Sequence, residues 1–133
     1  MNEFLWTAFS GWGAVILFAS VLTLPYLLRR TGGATTPYRQ PLWPHYWLGY
    51  LLPIMAFVHA WLPMSKGDIR GLNVGGLWLG TIALLLMLWQ IALGLLLRAS
   101  SQYGRIALRR THFWTMATLA ALIVAHVALN RPW

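Results

Sequence analysis

Apolar residues fill four long stretches of this chain, and short polar segments separate them. The stretches cover about Phe4–Leu28, Leu42–Leu62, Val74–Leu97 and Ile106–Leu129. Each is close to the roughly 20 apolar residues that an α-helix needs to cross the hydrocarbon core of a bilayer. Spanning segments must be helical, because lipid offers no hydrogen-bond partners to an unpaired backbone. The pattern therefore predicts an all-α integral membrane protein, a four-helix bundle that forms one transmembrane domain over residues 1–133.

Composition agrees with a membrane protein and excludes several kinds of chemistry. Of the 133 residues, 59% are hydrophobic and 9% are charged, whereas soluble domains average about 25% charged residues. The absence of cysteine excludes disulfides, iron–sulfur ligation, thiol catalysis and covalent attachment of haem. The two acidic residues, Glu3 and Asp68, lie outside the apolar stretches and are too few for a carboxylate-based hydrolase site.

The basic residues lie in the loops, so we attribute the net charge of +8 to membrane topology rather than to nucleic-acid binding. The first and third loops and their flanks carry Arg29, Arg30, Arg39, Arg98, Arg105, Arg109 and Arg110. The positive-inside rule then places these loops in the cytoplasm and both termini outside, in a multi-pass protein of the inner (cytoplasmic) membrane. Glu3 before the first stretch and Arg29-Arg30 after it favour a retained helix over a cleaved signal peptide.

All four histidines lie in the second and fourth stretches, at one spacing. His45 and His59 are fourteen residues apart, and so are His112 and His126. At 100° per residue this spacing leaves both histidines on one helix face, about 40° apart and separated by roughly 21 Å along the axis. The two helices run in the same direction, so depth matches His45 with His112 and His59 with His126. Each pair suits the two axial positions of a haem iron, a bis-His site that favours electron transfer over oxygen chemistry.

Histidines inside a membrane can also have other roles. An intramembrane histidine often forms a helix–helix hydrogen bond or lines a polar cavity. The same spacing on alternate helices, at matching depths, favours haem ligation over both roles. Zinc is disfavoured, because each depth supplies two histidines and no Cys, Asp or Glu to complete four ligands.

Glycines repeat the histidine spacing on the third stretch. Gly80 and Gly94 are fourteen residues apart and are expected to lie beside the two haems. On the first stretch Gly11 and Gly13 are expected near the outer haem, whereas Pro25 occupies the inner depth. Ordinary close packing of membrane helices is the alternative explanation of these glycines.

Haem propionates need cationic partners, and arginines lie at the inner depth. Arg109 precedes His112 by one helical turn, and Arg39, Arg98 and Arg110 have a similar depth. The alternative is that these arginines only set topology. At the outer depth the candidates are Lys66, Arg70, Asn130 and Arg131.

These residues resemble the di-haem cytochrome b superfamily. The resemblance rests on His45-x13-His59, His112-x13-His126, the pair Gly80 and Gly94, and Arg109-x-x-His112, and it covers all four stretches. The superfamily includes the cytochrome b core of bc complexes, ferric-reductase cores, and the small prokaryotic cytochrome b subunits that this chain looks most like. The resemblance implies two b haems, exchange of electrons with a membrane quinone, and a partner such as an iron–sulfur, cytochrome c or dehydrogenase subunit.

We therefore expect transmembrane electron transfer, as the membrane subunit of a redox complex rather than a complete enzyme. The short loops leave no room for a dehydrogenase site. Two alternatives stay open: a stand-alone quinone-linked oxidoreductase acting on a diffusible species such as superoxide, and a membrane anchor without a redox role. A bound quinone is expected but not located among the polar groups Gln90, Thr115, Thr118, Tyr38, Tyr46 and Tyr103.

Overall fold

The computed structural model describes residues 2–31, 42–65, 73–100 and 104–130. These residues form four α-helices: α1 (Asn2–Thr31), α2 (Trp43–Ser65), α3 (Val74–Ala99) and α4 (Arg105–Leu129). Each helix contains a segment long and apolar enough to cross a membrane. The prediction of an all-α chain with four membrane-length helices is confirmed, and the predicted ends differ from the observed ones by three residues or fewer.

The helices pack as two hairpins. Helix α1 packs against α2, and α3 packs against α4. The chain accordingly divides into two compact units, Met1–Lys66 and Gly67–Trp133, each built around one hairpin. In the first unit Phe18 and Leu52 are buried; in the second the buried apolar residues are Ala83, Met87, Leu93 and Leu119.

One buried leucine lies midway between the histidines of each histidine-bearing helix. Leu52 is 5% exposed and is seven residues from both His45 and His59. Leu119, which is 2% exposed, has the same relation to the two histidines of α4. Seven residues are close to two helical turns, so each leucine shares a helix face with its histidines. In each hairpin, a buried apolar side chain thus lies between the two histidines.

Polar side chains satisfy backbone groups at the ends of α3 and α4. The Asn73 Oδ1 atom accepts hydrogen bonds from the backbone N–H groups of Gly75 (2.9 Å) and Gly76 (3.3 Å), which caps the N-terminus of α3. At the end of α4, the Asn130 side-chain amide donates to the His126 carbonyl oxygen at 2.8 Å, and the Asn130 backbone N–H donates to the same oxygen at 3.2 Å. Unpaired backbone groups are costly near lipid, so such caps help define where a membrane helix ends.

The outward surfaces of the helices are apolar and rich in tryptophan. Trp6, Trp43, Trp61 and Trp78 lie near helix ends, Trp114 lies further inside α4, and all five are at least 58% exposed. A soluble monomer rarely exposes so much contiguous apolar surface. Tryptophan is the side chain that membrane proteins favour at the boundary between lipid and water. The exposed apolar side chains are therefore compatible with helices that span a membrane.

Candidate functional site

Both histidines of the first hairpin are held by backbone carbonyls of the neighbouring helix. The Nδ1 atom of His45 lies 3.1 Å from the Val21 carbonyl oxygen, and that of His59 lies 3.0 Å from the Thr7 carbonyl oxygen. A carbonyl oxygen can only accept a hydrogen bond, so Nδ1 carries the hydrogen in each ring. In a neutral imidazole the other nitrogen, Nε2, then carries the lone pair. Nε2 is thus in the form that a metal ion binds.

The second hairpin repeats this arrangement at one histidine. The Nδ1 atom of His126 donates to the Gly76 carbonyl oxygen across 2.7 Å. At His112 the contact with α3 is made through the backbone: the Gln90 side-chain amide donates to the His112 carbonyl oxygen at 2.9 Å. The Nδ1 atom of His112 is itself buried. Three histidines therefore share one orientation relative to the neighbouring helix.

The fourteen-residue spacing of the histidines recurs on the helices that face them. Thr7 and Val21, which accept from His59 and His45, are fourteen residues apart on α1. On α3, Gly76 and Gln90 are again fourteen residues apart, and they contact His126 and His112. Antiparallel helices of the same rise advance equally along their axes, so one spacing matches the other. Each hairpin thus has two equivalent levels, separated by roughly 21 Å.

Two of the predicted glycines make room for the histidine rings. A Cβ atom at Gly11 would lie 2.8 Å from Cε1 of His59, and one at Gly80 would lie 3.0 Å from Cε1 of His126. Both glycines lie four residues after the carbonyl that binds the same ring, which is about one helical turn further along. Without a side chain at these positions, the imidazole can lie directly against the backbone of the facing helix.

The other glycine positions differ. No described atom lies within 4 Å of a Cβ built at Gly94, and at Gly13 the nearest is the Met55 methyl carbon at 3.9 Å. Pro25 stands where α1 has no glycine, four residues after Val21. Close contact between glycine and imidazole is therefore found at the levels of His59 and His126. The sequence suggests Gly80 and Gly11 as neighbours of a haem, and the structure places each of them directly against a histidine ring.

Two further polar side chains lie beside the histidines. Ser10 Oγ is 3.3 Å from Nδ1 of His59 and donates to the Thr7 carbonyl oxygen at 3.0 Å. Asn130 Nδ2 is 3.4 Å from Nδ1 of His126 and donates to the His126 carbonyl oxygen at 2.8 Å. Sequence reasoning did not single out Ser10, and it suggested Asn130 as a propionate partner rather than a neighbour of histidine.

The predicted arginines lie at the ends of the second hairpin where described. Arg98 lies in the last turn of α3, and Arg109 and Arg110 lie in the second turn of α4; all three side chains are exposed. Arg105 donates to the Ser100 carbonyl oxygen at 3.4 Å. The remaining cationic candidates fall outside the described residues, as do two of the tyrosines: Arg39, Lys66, Arg70, Arg131, Tyr38 and Tyr103.

The intramembrane polar residues considered for a quinone are engaged elsewhere. Thr115 and Thr118 donate their hydroxyls to carbonyls one turn back on α4, those of Thr111 (2.9 Å) and Trp114 (3.0 Å). Gln90 bridges α3 and α4 as described above, and its Oε1 atom is buried without a hydrogen-bond partner among the described residues. The Tyr46 ring stacks edge-on against the His45 ring, with centroids 5.9 Å apart.

Comparison with known proteins finds no matching family model, curated protein or solved structure. In the described part of the chain, no three His, Cys, Asp or Glu side chains are grouped as a bare metal ion would require. A haem iron has a different requirement, because the porphyrin already supplies four nitrogens and only axial ligands come from the protein. Histidines at separate levels fit that requirement, and in His45, His59 and His126 the ring nitrogen that carries the lone pair is Nε2.

Proposed function

We propose that this protein carries electrons across a membrane through two b haems, each held by two histidines. One observation carries the proposal. Three histidines donate Nδ1–H to carbonyls of the neighbouring helix, at levels repeated every fourteen residues. Histidines that bind metals almost always use the second ring nitrogen in this way, which fixes the tautomer and ring orientation and raises the basicity of Nε2.

A purely structural role for the histidines explains less of this arrangement. A histidine that only joins two helices needs one hydrogen bond, and the Nδ1 contacts alone satisfy that role. It does not need its spacing repeated on a second hairpin, nor a glycine opposite the ring. Gly11 and Gly80 admit the rings of His59 and His126 against the neighbouring backbone. Shared orientation, spacing and clearance together favour ligands over helix–helix contacts.

The proposed pairing follows depth along the helices. His45 and His112 would hold one haem, and His59 and His126 would hold the other. When bound, the haems supply one-electron chemistry. Two histidines on each haem would suit electron transfer rather than oxygen chemistry. Gly94 would lie beside the haem of His45 and His112. The propionates of that haem would pair with Arg39, Arg98 and Arg109.

Electrons would pass between a membrane quinone and a partner redox subunit in the inner membrane. We propose that the arginine-rich loops face the cytoplasm and that both termini lie on the other side. Moving an electron fully across the membrane against the membrane potential costs about 2.3 kcal/mol per 100 mV. The direction of electron transfer therefore has energetic consequences. The partner would supply electrons to the haems or accept electrons from them.

The proposal is tested by quantifying haem in the purified, full-length protein. A dithionite-reduced minus oxidised spectrum identifies b haem, and the pyridine haemochrome gives its amount per chain. We expect two b haems, and the single changes His45→Ala, His59→Ala, His112→Ala and His126→Ala should each remove one. Thr118→Ala is a matched control on α4, because its hydroxyl bonds only within its own helix in the described contacts. Well-folded protein without haem would contradict the proposal and leave a membrane anchor.

A further inference from the structure

One buried serine distinguishes the His59 level from the other three. The positions three residues after the facing residues Thr7, Val21, Gly76 and Gln90 correspond to one another in the two hairpins. They are occupied by Ser10, Leu24, Leu79 and Leu93. Three of the four are leucine, and the polar one is 7% exposed. A hydroxyl buried in an apolar span is costly unless it is hydrogen-bonded, so the Ser10 hydroxyl needs a hydrogen-bond partner inside the hairpin.

Ser10 forms a closed triangle with Thr7 and His59. Its Oγ donates to the Thr7 carbonyl oxygen at 3.0 Å, and the same carbonyl accepts from Nδ1 of His59, also at 3.0 Å. The third side joins Ser10 Oγ and His59 Nδ1 across 3.3 Å. Since the single hydroxyl hydrogen points at the carbonyl, the Oγ lone pairs are left to face Nδ1–H. The Nδ1–H group of His59 is therefore shared between two acceptors.

We propose that Ser10 is a positioning residue that tunes the ligand nitrogen of His59 and so makes one haem differ from the other. The inference rests on the proposed function, because its effect is on an iron bound to Nε2. Acceptors at Nδ1 fix the plane of the ring and raise the basicity of Nε2. A more basic axial ligand stabilises ferric over ferrous iron and lowers the reduction potential. The His59 haem accordingly has a lower potential with the serine than without it.

The change Ser10→Ala removes the second acceptor and leaves the Thr7 carbonyl in place. Ser20→Ala is the matched control on the same helix: Ser20 directly precedes Val21 at the His45 level, but its Oγ donates to the Ile16 carbonyl oxygen at 2.8 Å and no described hydrogen bond joins it to a histidine. Ser10→Thr retains a hydroxyl at the position. Each variant of the full chain is purified with its haems, titrated potentiometrically, and examined by electron paramagnetic resonance of the low-spin ferric form.

We expect Ser10→Ala to raise one of the two midpoint potentials and to shift the resonance of that haem, because ring plane and basicity both change. The other haem of Ser10→Ala should keep its wild-type potential and resonance. In Ser20→Ala and Ser10→Thr, both haems should keep theirs. Loss of one haem from Ser10→Ala, with both retained in Ser20→Ala, also supports the inference.

Two haems with unchanged potentials and resonances in Ser10→Ala would overturn this inference and leave the proposed function standing. Equal shifts of both haems, or the same change in Ser20→Ala, would also overturn it, because they indicate a general effect on the helix. Wild-type protein without haem would overturn the inference and the proposed function together.

Discussion

Adding one methyl group at Gly11 tests how closely α1 approaches the His59 ring. The Cβ atom of an alanine there would lie 2.8 Å from Cε1 and 3.1 Å from Nδ1 of His59. Non-bonded carbon atoms pack best at about 3.5–4.0 Å, so the ring or the helix must move by roughly 0.7 Å or more. That movement works against the two contacts that hold the ring, at the Thr7 carbonyl and at Ser10.

The expected cost follows from three terms. Overpacking a tight site costs about 1–3 kcal/mol, and an interhelical hydrogen bond within a membrane contributes about 0.6 kcal/mol on average. Alanine offsets part of this, because it is favoured over glycine in a helix interior by up to about 1 kcal/mol. Gly11→Ala should therefore lower the free energy of unfolding by about 0.5–2.5 kcal/mol. Gly80→Ala should act in the same direction at His126, where the clearance is 3.0 Å.

The assay is equilibrium unfolding by SDS in mixed micelles, followed by tryptophan fluorescence. Gly49→Ala is the control in the same hairpin, because no described atom lies within 4 Å of its added Cβ. Gly49→Ala should be neutral or slightly stabilising through helix propensity. If Gly11→Ala is as stable as Gly49→Ala, the close seating of the imidazole against α1 is refuted.

Two further changes probe the second hairpin in the same assay. A Cβ at Gly76 would overlap the Asn130 side-chain amide, so Gly76→Ala should displace that amide and destabilise the protein by about 1–3 kcal/mol; wild-type stability would contradict this. Gln90→Leu loses the bond to the His112 carbonyl but also removes the buried Oε1 atom, so the free energy of unfolding should change by less than about 1 kcal/mol. A larger loss of the free energy of unfolding would contradict this and show that the Gln90 amide contributes strongly to the packing of α3 against α4.

The helices and the histidine levels could be predicted because they depend on simple periodicities. Apolar length alone locates spans, and the four helices end within three residues of the prediction. The rise and turn of a helix place His45 and His59 on one face, and both indeed contact α1. These properties belong to single helices, so they need no knowledge of which helix lies opposite.

The partners of the histidines could not be predicted, because backbone acceptors have no residue signature. The carbonyls of Thr7, Val21 and Gly76 act alike although their side chains share nothing. The contact between the Ser10 side chain and His59 could not be predicted either. Serine in a membrane helix usually donates to its own backbone, as Ser20 does, and the sequence has no feature that separates the two. Only the antiparallel register of α1 and α2 brings Ser10 to His59.

The most direct test of the haem assignment compares two double variants that each remove two histidines. His45→Ala with His112→Ala removes both ligands of one proposed haem, so one b haem per chain should remain. His45→Ala with His59→Ala removes one ligand of each, so no haem with two histidine ligands should remain. One haem in the first variant and none in the second would support the pairing. Two haems in either variant, or the reverse pattern, would contradict the account.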